Sequence, residues 1–134
     1  MITVQTTYIG DLRTENTHLQ SGVRLITDAP CDNRGKGESF SPTDLVATAL
    51  GNCIMTIMGI KAMDNNIDIR GTRVEITKIM ADNPRRIAEV IVSFIFPKNN
   101  YSTQQKELIE SVAGTSPVPL SLHPSIKQTI LFNW

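Results

Sequence analysis

Ser41-Pro42-Thr43-Asp44-Leu45-Val46-Ala47-Thr48-Ala49-Leu50-Gly51-Asn52-Cys53-Ile54-Met55-Thr56-Ile57-Met58-Gly59-Ile60-Lys61-Ala62-Met63 is the stretch whose reading decides the fold. Ser41 is a helix cap, Pro42 suits the first helical position, and Asp44 stands three residues after the cap, where its charge meets the positive end of the helix dipole. The helix is expected to run to about residue 64. Its body is apolar on nearly every face, and its length approaches the ~20 residues that cross a bilayer. Thr48, Gly51, Asn52, Thr56 and Lys61 interrupt that character. The reading is therefore a central buried helix, covered on all sides by sheet, by other helices or by a second subunit.

Outward from this helix the chain reads as strands and turns. Residues 2–9 are rich in β-branched and aromatic side chains and stop at Gly10-Asp11. Residues 12–22 read as a polar turn and 23–27 as the return strand, which places Arg13 on a hairpin tip. Residues 31–39 read as a loop. Two β-rich runs at 73–80 and 88–96 form a hairpin around Asp82-Asn83-Pro84. Ser102-Thr103-Gln104-Gln105 repeats the capping pattern ahead of Leu108, Ile109, Val112 and Ala113, and Gly114 ends that second helix. Ile126, Gln128, Ile130, Phe132 and Trp134 alternate along a half-buried last strand. The 134 residues fit one domain over 1–134, of the α+β class.

Thirteen basic residues balance thirteen acidic ones, so no global field favours nucleic acid or an anionic membrane as partner. The opening residues lack the basic start and apolar core of a signal peptide, and a cytoplasmic location is expected. Cys31 and Cys53 are the two cysteines, with His18 and His123 the two histidines. Without a Cys-x-x-Cys pair, neither a metal site nor a cofactor is expected. Met55, Met58 and Met63 read as core, Arg85-Arg86 as a solvated turn, and His123 as a loop histidine. Cys53 has two readings on residues alone: a small buried apolar group, or a nucleophile that needs a nearby cation to hold its thiolate.

The order of short motifs separates these readings. Gly10-Asp11-Leu12-Arg13, Ser21-Gly22, Thr27-Asp28-Ala29-Pro30 and Gly35-Lys36-Gly37 resemble the first half of an OsmC-like sequence. Ser41-Pro42-Thr43-Asp44-Leu45 leading to Ala49-Leu50-Gly51-Asn52-Cys53 is similar to that family's central-helix motif. Pro84-Arg85-Arg86-Ile87, Ser116-Pro117-Val118, Ser121-Leu122-His123-Pro124 and Phe132-Asn133-Trp134 continue in register.

The resemblance implies an OsmC-like fold, an intertwined homodimer in which β-sheets wrap two central helices. It also implies a two-cysteine reduction of organic hydroperoxides with a dithiol as final reductant. Carried over by position, Cys53 is the attacking thiol and Arg13 the cation beside it. Two positions depart from the pattern. Ser116 stands where the family's second cysteine precedes Pro-Val, and a hydroxyl cannot form a disulfide. Thr43 stands where the peroxide-active branch has the glutamate that orients the arginine. Asp44, one residue on, is either a capping residue or the replacement carboxylate. The candidate catalytic set is Cys53, Arg13, Asp44 and Ser116. The two functions carried forward are thiol-dependent peroxide reduction, with an external thiol or Cys31 as resolver, and a non-catalytic dimer binding a small apolar ligand or partner at the subunit interface.

Overall fold

The computed structural model describes residues 1–134. The elements run β1 (Val4–Gly10), β2 (Arg13–His18), β3 (Arg24–Asp28), α1 (Pro42–Asp64), β4 (Arg73–Ala81), β5 (Arg86–Ile95), α2 (Thr103–Glu110), α3 (Pro117–Ser121) and β6 (Lys127–Asn133). The class is α+β, as expected, with two three-stranded sheets ordered β1-β2-β3 and β4-β5-β6. The chain divides into two compact units, Met1–Val46 and Ala47–Trp134.

In the first unit β2 is the central strand, antiparallel to both neighbours. This corrects the polar turn expected over residues 12–22. Asp11 and Leu12 form the turn, both at positive φ (53° and 61°), the geometry of a tight two-residue hairpin loop. Tyr8 Oη accepts the Leu12 N–H at 3.4 Å. Arg13 is thus the first residue of β2, paired with Gly10 on one side and Asp28 on the other, rather than the tip of a loop. Arg-Thr-Glu-Asn-Thr-His carries no apolar alternation because both edges of β2 are held by ladders while its faces stay only half-buried. β1 is exposed along nearly its whole length, including Val4, Tyr8 and Ile9.

The second unit holds the apolar core. α1 places Ala47, Leu50, Gly51, Ile54, Met58 and Ala62 on one buried stripe at helical spacing. Val90, Val92 and Phe94, alternating on one face of β5, are also fully buried, with Ile109 of α2 in the same cluster. A Cβ on Gly51 would lie 2.6 Å from Ile76 Cδ1, so glycine lets α1 approach β4 closely. By length and composition α1 could cross a membrane, yet this stripe is buried in a protein core. Its other faces are uncovered at Val46, Ile60 and Met63.

β4 and β5 are antiparallel, and β6 joins β5 in parallel after the crossover through α2 and α3. The capping box is complete at α2: Ser102 Oγ accepts the Gln105 N–H and the Gln105 side chain accepts the Ser102 N–H. α2 ends at Glu110, short of the expected Gly114, which lies in a separate 3₁₀ turn. Trp134 stacks on Phe96 with ring centroids 3.6 Å apart and donates from Nε1 to Glu110 at 2.8 Å, tying the last strand to α2.

Candidate functional site

Cys53 lies on the flank of the buried stripe of α1, half-buried, between exposed Asn52 and buried Ile54. The sulfur receives the backbone N–H of Val118 at 3.5 Å. Val118 belongs to α3, a five-residue helix with Ser116 at its cap and Pro117 in its first turn. Pro117 lacks an N–H, so the first donor this short helix presents is that of Val118. A sulfur held at an N–H has an acceptor role to play, which a purely apolar cysteine lacks.

Ser116 therefore stands two residues from the group that touches Cys53. It is fully buried, and its hydroxyl donates to the Ala113 carbonyl at 3.1 Å. The Ser116 side chain is thereby satisfied and fixed. Cys31 is exposed in a 3₁₀ turn over Cys31–Asn33, and its thiol donates to the Lys36 carbonyl at 3.3 Å.

Arg13 lies in the first unit, where two carboxylates share its Nη2. Asp28 Oδ2 accepts at 3.3 Å and Glu38 Oε2 at 2.5 Å. Asp28 is 0 % exposed, whereas the Glu38 side chain is 59 % exposed. The Glu38 backbone N–H also donates to Asp28 Oδ2 at 2.9 Å. That N–H bond, with the Arg13 side chain adding to it against the cost of burial, holds the Asp28 carboxyl below the usual carboxylate range. The Asp28 bond leads, with Glu38, in raising the Arg13 pKa further above its ordinary value. Arg13 Nε and Asp28 Oδ1, both buried, make no hydrogen bond. They are complementary donor and acceptor within one ion pair.

Asp44 caps α1. Its Oδ2 accepts the Ser41 N–H at 2.9 Å, and its own N–H donates to Ser41 Oγ at 3.1 Å, a reciprocal capping box. The carboxylates that hold Arg13 are Asp28 and Glu38, neither singled out from sequence. Asp28 reads there as the stop of a strand and Glu38 as a loop residue. The available signal was a charged residue at the end of an apolar strand, facing Arg13 across a hairpin, and it becomes visible only once β2 is recognised.

The remaining candidates are tied up locally. His18 Nδ1 bonds Ser21 Oγ and His123 Nδ1 bonds Ser125 Oγ, each at 2.7 Å. No three His, Cys, Asp or Glu side chains group as a metal site would require. A groove of about 690 Å³ lies in the second unit, lined by Met55, Met63, Ile67 and Ile69 together with Asp68 and Arg70. Arg70 pairs with Asp68 at 2.7 Å and pulls its carboxyl down to about 2.

The sequence model of the OsmC-like protein family matches residues 35–130. Among curated proteins none matches the sequence. A crystal structure from Psychrobacter arcticus, of a protein named for osmotic stress induction and a detoxification response, is 50% identical. It superposes with a TM-score of 0.94, covering 99% of this chain and 96% of that one. An organic hydroperoxide resistance protein OsmC from Legionella pneumophila has a TM-score of 0.77 at 12% identity, covering 100% and 98% of the two chains. An organic hydroperoxide resistance protein from Elizabethkingia anophelis, crystallised with thiocyanate, has a TM-score of 0.75 at 14% identity, covering 99% and 96%. The two more distant likenesses establish the shared fold.

Proposed function

Since the chain belongs to the OsmC-like protein family, we propose that it reduces organic hydroperoxides through Cys53 in a one-cysteine cycle. The observation that carries this reading is the Val118 N–H on the Cys53 sulfur. A half-buried thiol with a backbone donor has both access and a hydrogen-bond partner for the attacking thiolate.

In this reading the Cys53 thiolate attacks the terminal peroxide oxygen. The O–O bond breaks, the hydroxyl transfers to sulfur as a sulfenic acid, and the alkoxide leaves and takes a proton from solvent. Sulfur loses two electrons and the peroxide gains them. Arg13 is the cation the family resemblance assigns to this step. Ser116 cannot close a disulfide, so an external dithiol completes the cycle. Its first thiol condenses with the sulfenic acid, releasing water, and its second breaks the mixed disulfide and restores Cys53.

The working unit in this proposal is a homodimer in the cytoplasm. Val46, Ile60 and Met63 of α1 and Val4, Tyr8 and Ile9 of β1 are uncovered apolar positions that a second copy would bury. A second reading, binding of a small apolar ligand without turnover, is favoured by the groove lined by Met55, Met63, Ile67 and Ile69.

Consumption of cumene hydroperoxide with a dithiol separates the two. Turnover in the parent that vanishes in Cys53→Ser supports the enzyme. Equal rates in both proteins, or none in either, leave ligand binding as the function.

A further inference from the structure

Asp28 has an unusual position for a carboxylate. It is fully buried, it faces Arg13 directly in the β2–β3 ladder, and its Oδ2 receives both the Arg13 guanidinium and the Glu38 backbone N–H. A buried ion pair is a poor device for stability alone, because desolvation of the two charges offsets most of their attraction, and an apolar pair of similar volume does as well. What such a pair supplies is orientation. Arg13 Nη2 is engaged by Asp28 and Glu38, and no bond engages Nη1. One nitrogen of the fork is used for holding while the other keeps its donors.

The local chain is arranged around this contact. The Asp11-Leu12 turn starts β2 at Arg13, and the Leu12 carbonyl accepts the Ala29 N–H at 3.2 Å. The Asp28 N–H donates to the Phe40 carbonyl at 3.0 Å. Thr14 and Thr27, the next pair in the ladder, join their hydroxyls at 2.5 Å. β2 and β3, the strands that carry Arg13 and Asp28, are thus fixed against each other. Glu38, being exposed, adds a contact that solvent weakens.

We infer that Asp28 is the positioning residue of Arg13, anchoring the guanidinium through Nη2 so that Nη1 stays presented, with the Glu38 side chain as a secondary latch on the same nitrogen. The consequence for peroxide reduction rests on the function proposed above. The orientation of Arg13 does not.

The experiment combines two readouts on the full-length protein. Arginine side-chain NMR of the parent should show restricted rotation for Arg13 that the exposed Arg24 lacks. An Arg13 signal as averaged as that of Arg24 would overturn the inference even if no variant folds. In Asp28→Asn, which keeps the acceptor for the Glu38 N–H, the Arg13 signal should become averaged, and the second-order rate of Cys53 oxidation by cumene hydroperoxide should fall about tenfold or more. A merely structural role would lower the melting temperature while leaving the guanidinium signal and the rate of the folded protein at parent values, and that result would also overturn it. If the parent itself is never oxidised, the proposed function fails, and the guanidinium signal alone decides the role of Asp28.

Discussion

Ser116→Cys restores the thiol the family pattern places before Pro117, and its effect can be worked from the structure. The Ser116 hydroxyl donates one hydrogen bond to Ala113 in a fully buried setting, and losing it costs about 1 kcal/mol. The gain comes on oxidation. Residue 116 is two residues from Val118, whose N–H touches the Cys53 sulfur, so the introduced thiol starts close to its target. A bond from 53 to 116 closes a loop of roughly 60 residues and removes about 4 kcal/mol of chain entropy from the unfolded state. The net expectation is about 3 kcal/mol of added stability in the oxidised variant, or roughly 10 °C in Tm for a chain of this size. The reduced variant should melt slightly below the parent. Intact mass after one equivalent of cumene hydroperoxide should show the variant losing two hydrogens, whereas the parent gains one oxygen. An oxidised variant that gains oxygen instead, or shows no rise in Tm over its reduced form, would refute the expectation that a thiol at 116 reaches Cys53.

Other expectations follow from single contacts. Phe94→Ala empties a fully buried position near the C-terminal end of β5, next to Phe132 and Phe96, and should cost about 3–5 kcal/mol in urea unfolding; a loss under about 1 kcal/mol would mean this core is not the one that holds the unit together. The Asp28 carboxyl is held below its ordinary value, so its contribution is present at neutral pH and is lost as pH falls through the folded value. Acid unfolding of Asp28→Asn should accordingly show a shallower limb below about pH 4 than the parent, and identical limbs would count against the ion pair. Light scattering at micromolar concentration should report twice the chain mass; a folded monomer would contradict the covering of α1 by a second copy.

The parts of the fold legible in sequence were those where a local rule acts alone. Ser41, Pro42 and Asp44 announce α1, and the structure starts it at Pro42 and ends it at Asp64. β4 alternates between exposed and half-buried along most of its length, and the last strand, read from its alternating residues, keeps that pattern except at Thr129, which is also half-buried. β2 was illegible because Arg-Thr-Glu-Asn-Thr-His is held by ladders on both edges and by no buried face, so its pattern carries no hydrophobic signal. α3 was not anticipated because it is only five residues long and shows no helical periodicity, although its Pro117 is at home in a first helical turn. The site divides in the same way. Cys53 and Ser116 were found through family resemblance, and the structure brings Cys53 to the residue two beyond Ser116. Asp28 and Glu38 depend on a strand pairing and a returning loop, which no local pattern encodes.

The claim that Cys53 performs peroxide chemistry is tested most directly by peptide mass spectrometry after one equivalent of cumene hydroperoxide, with a sulfenic-acid trap present. The account predicts one trap adduct on Cys53, none on exposed Cys31, and no adduct when a dithiol reduces the sulfenic acid before the trap is added. Oxidation confined to Cys31, or no oxidation of Cys53 while the peroxide remains intact, would contradict it.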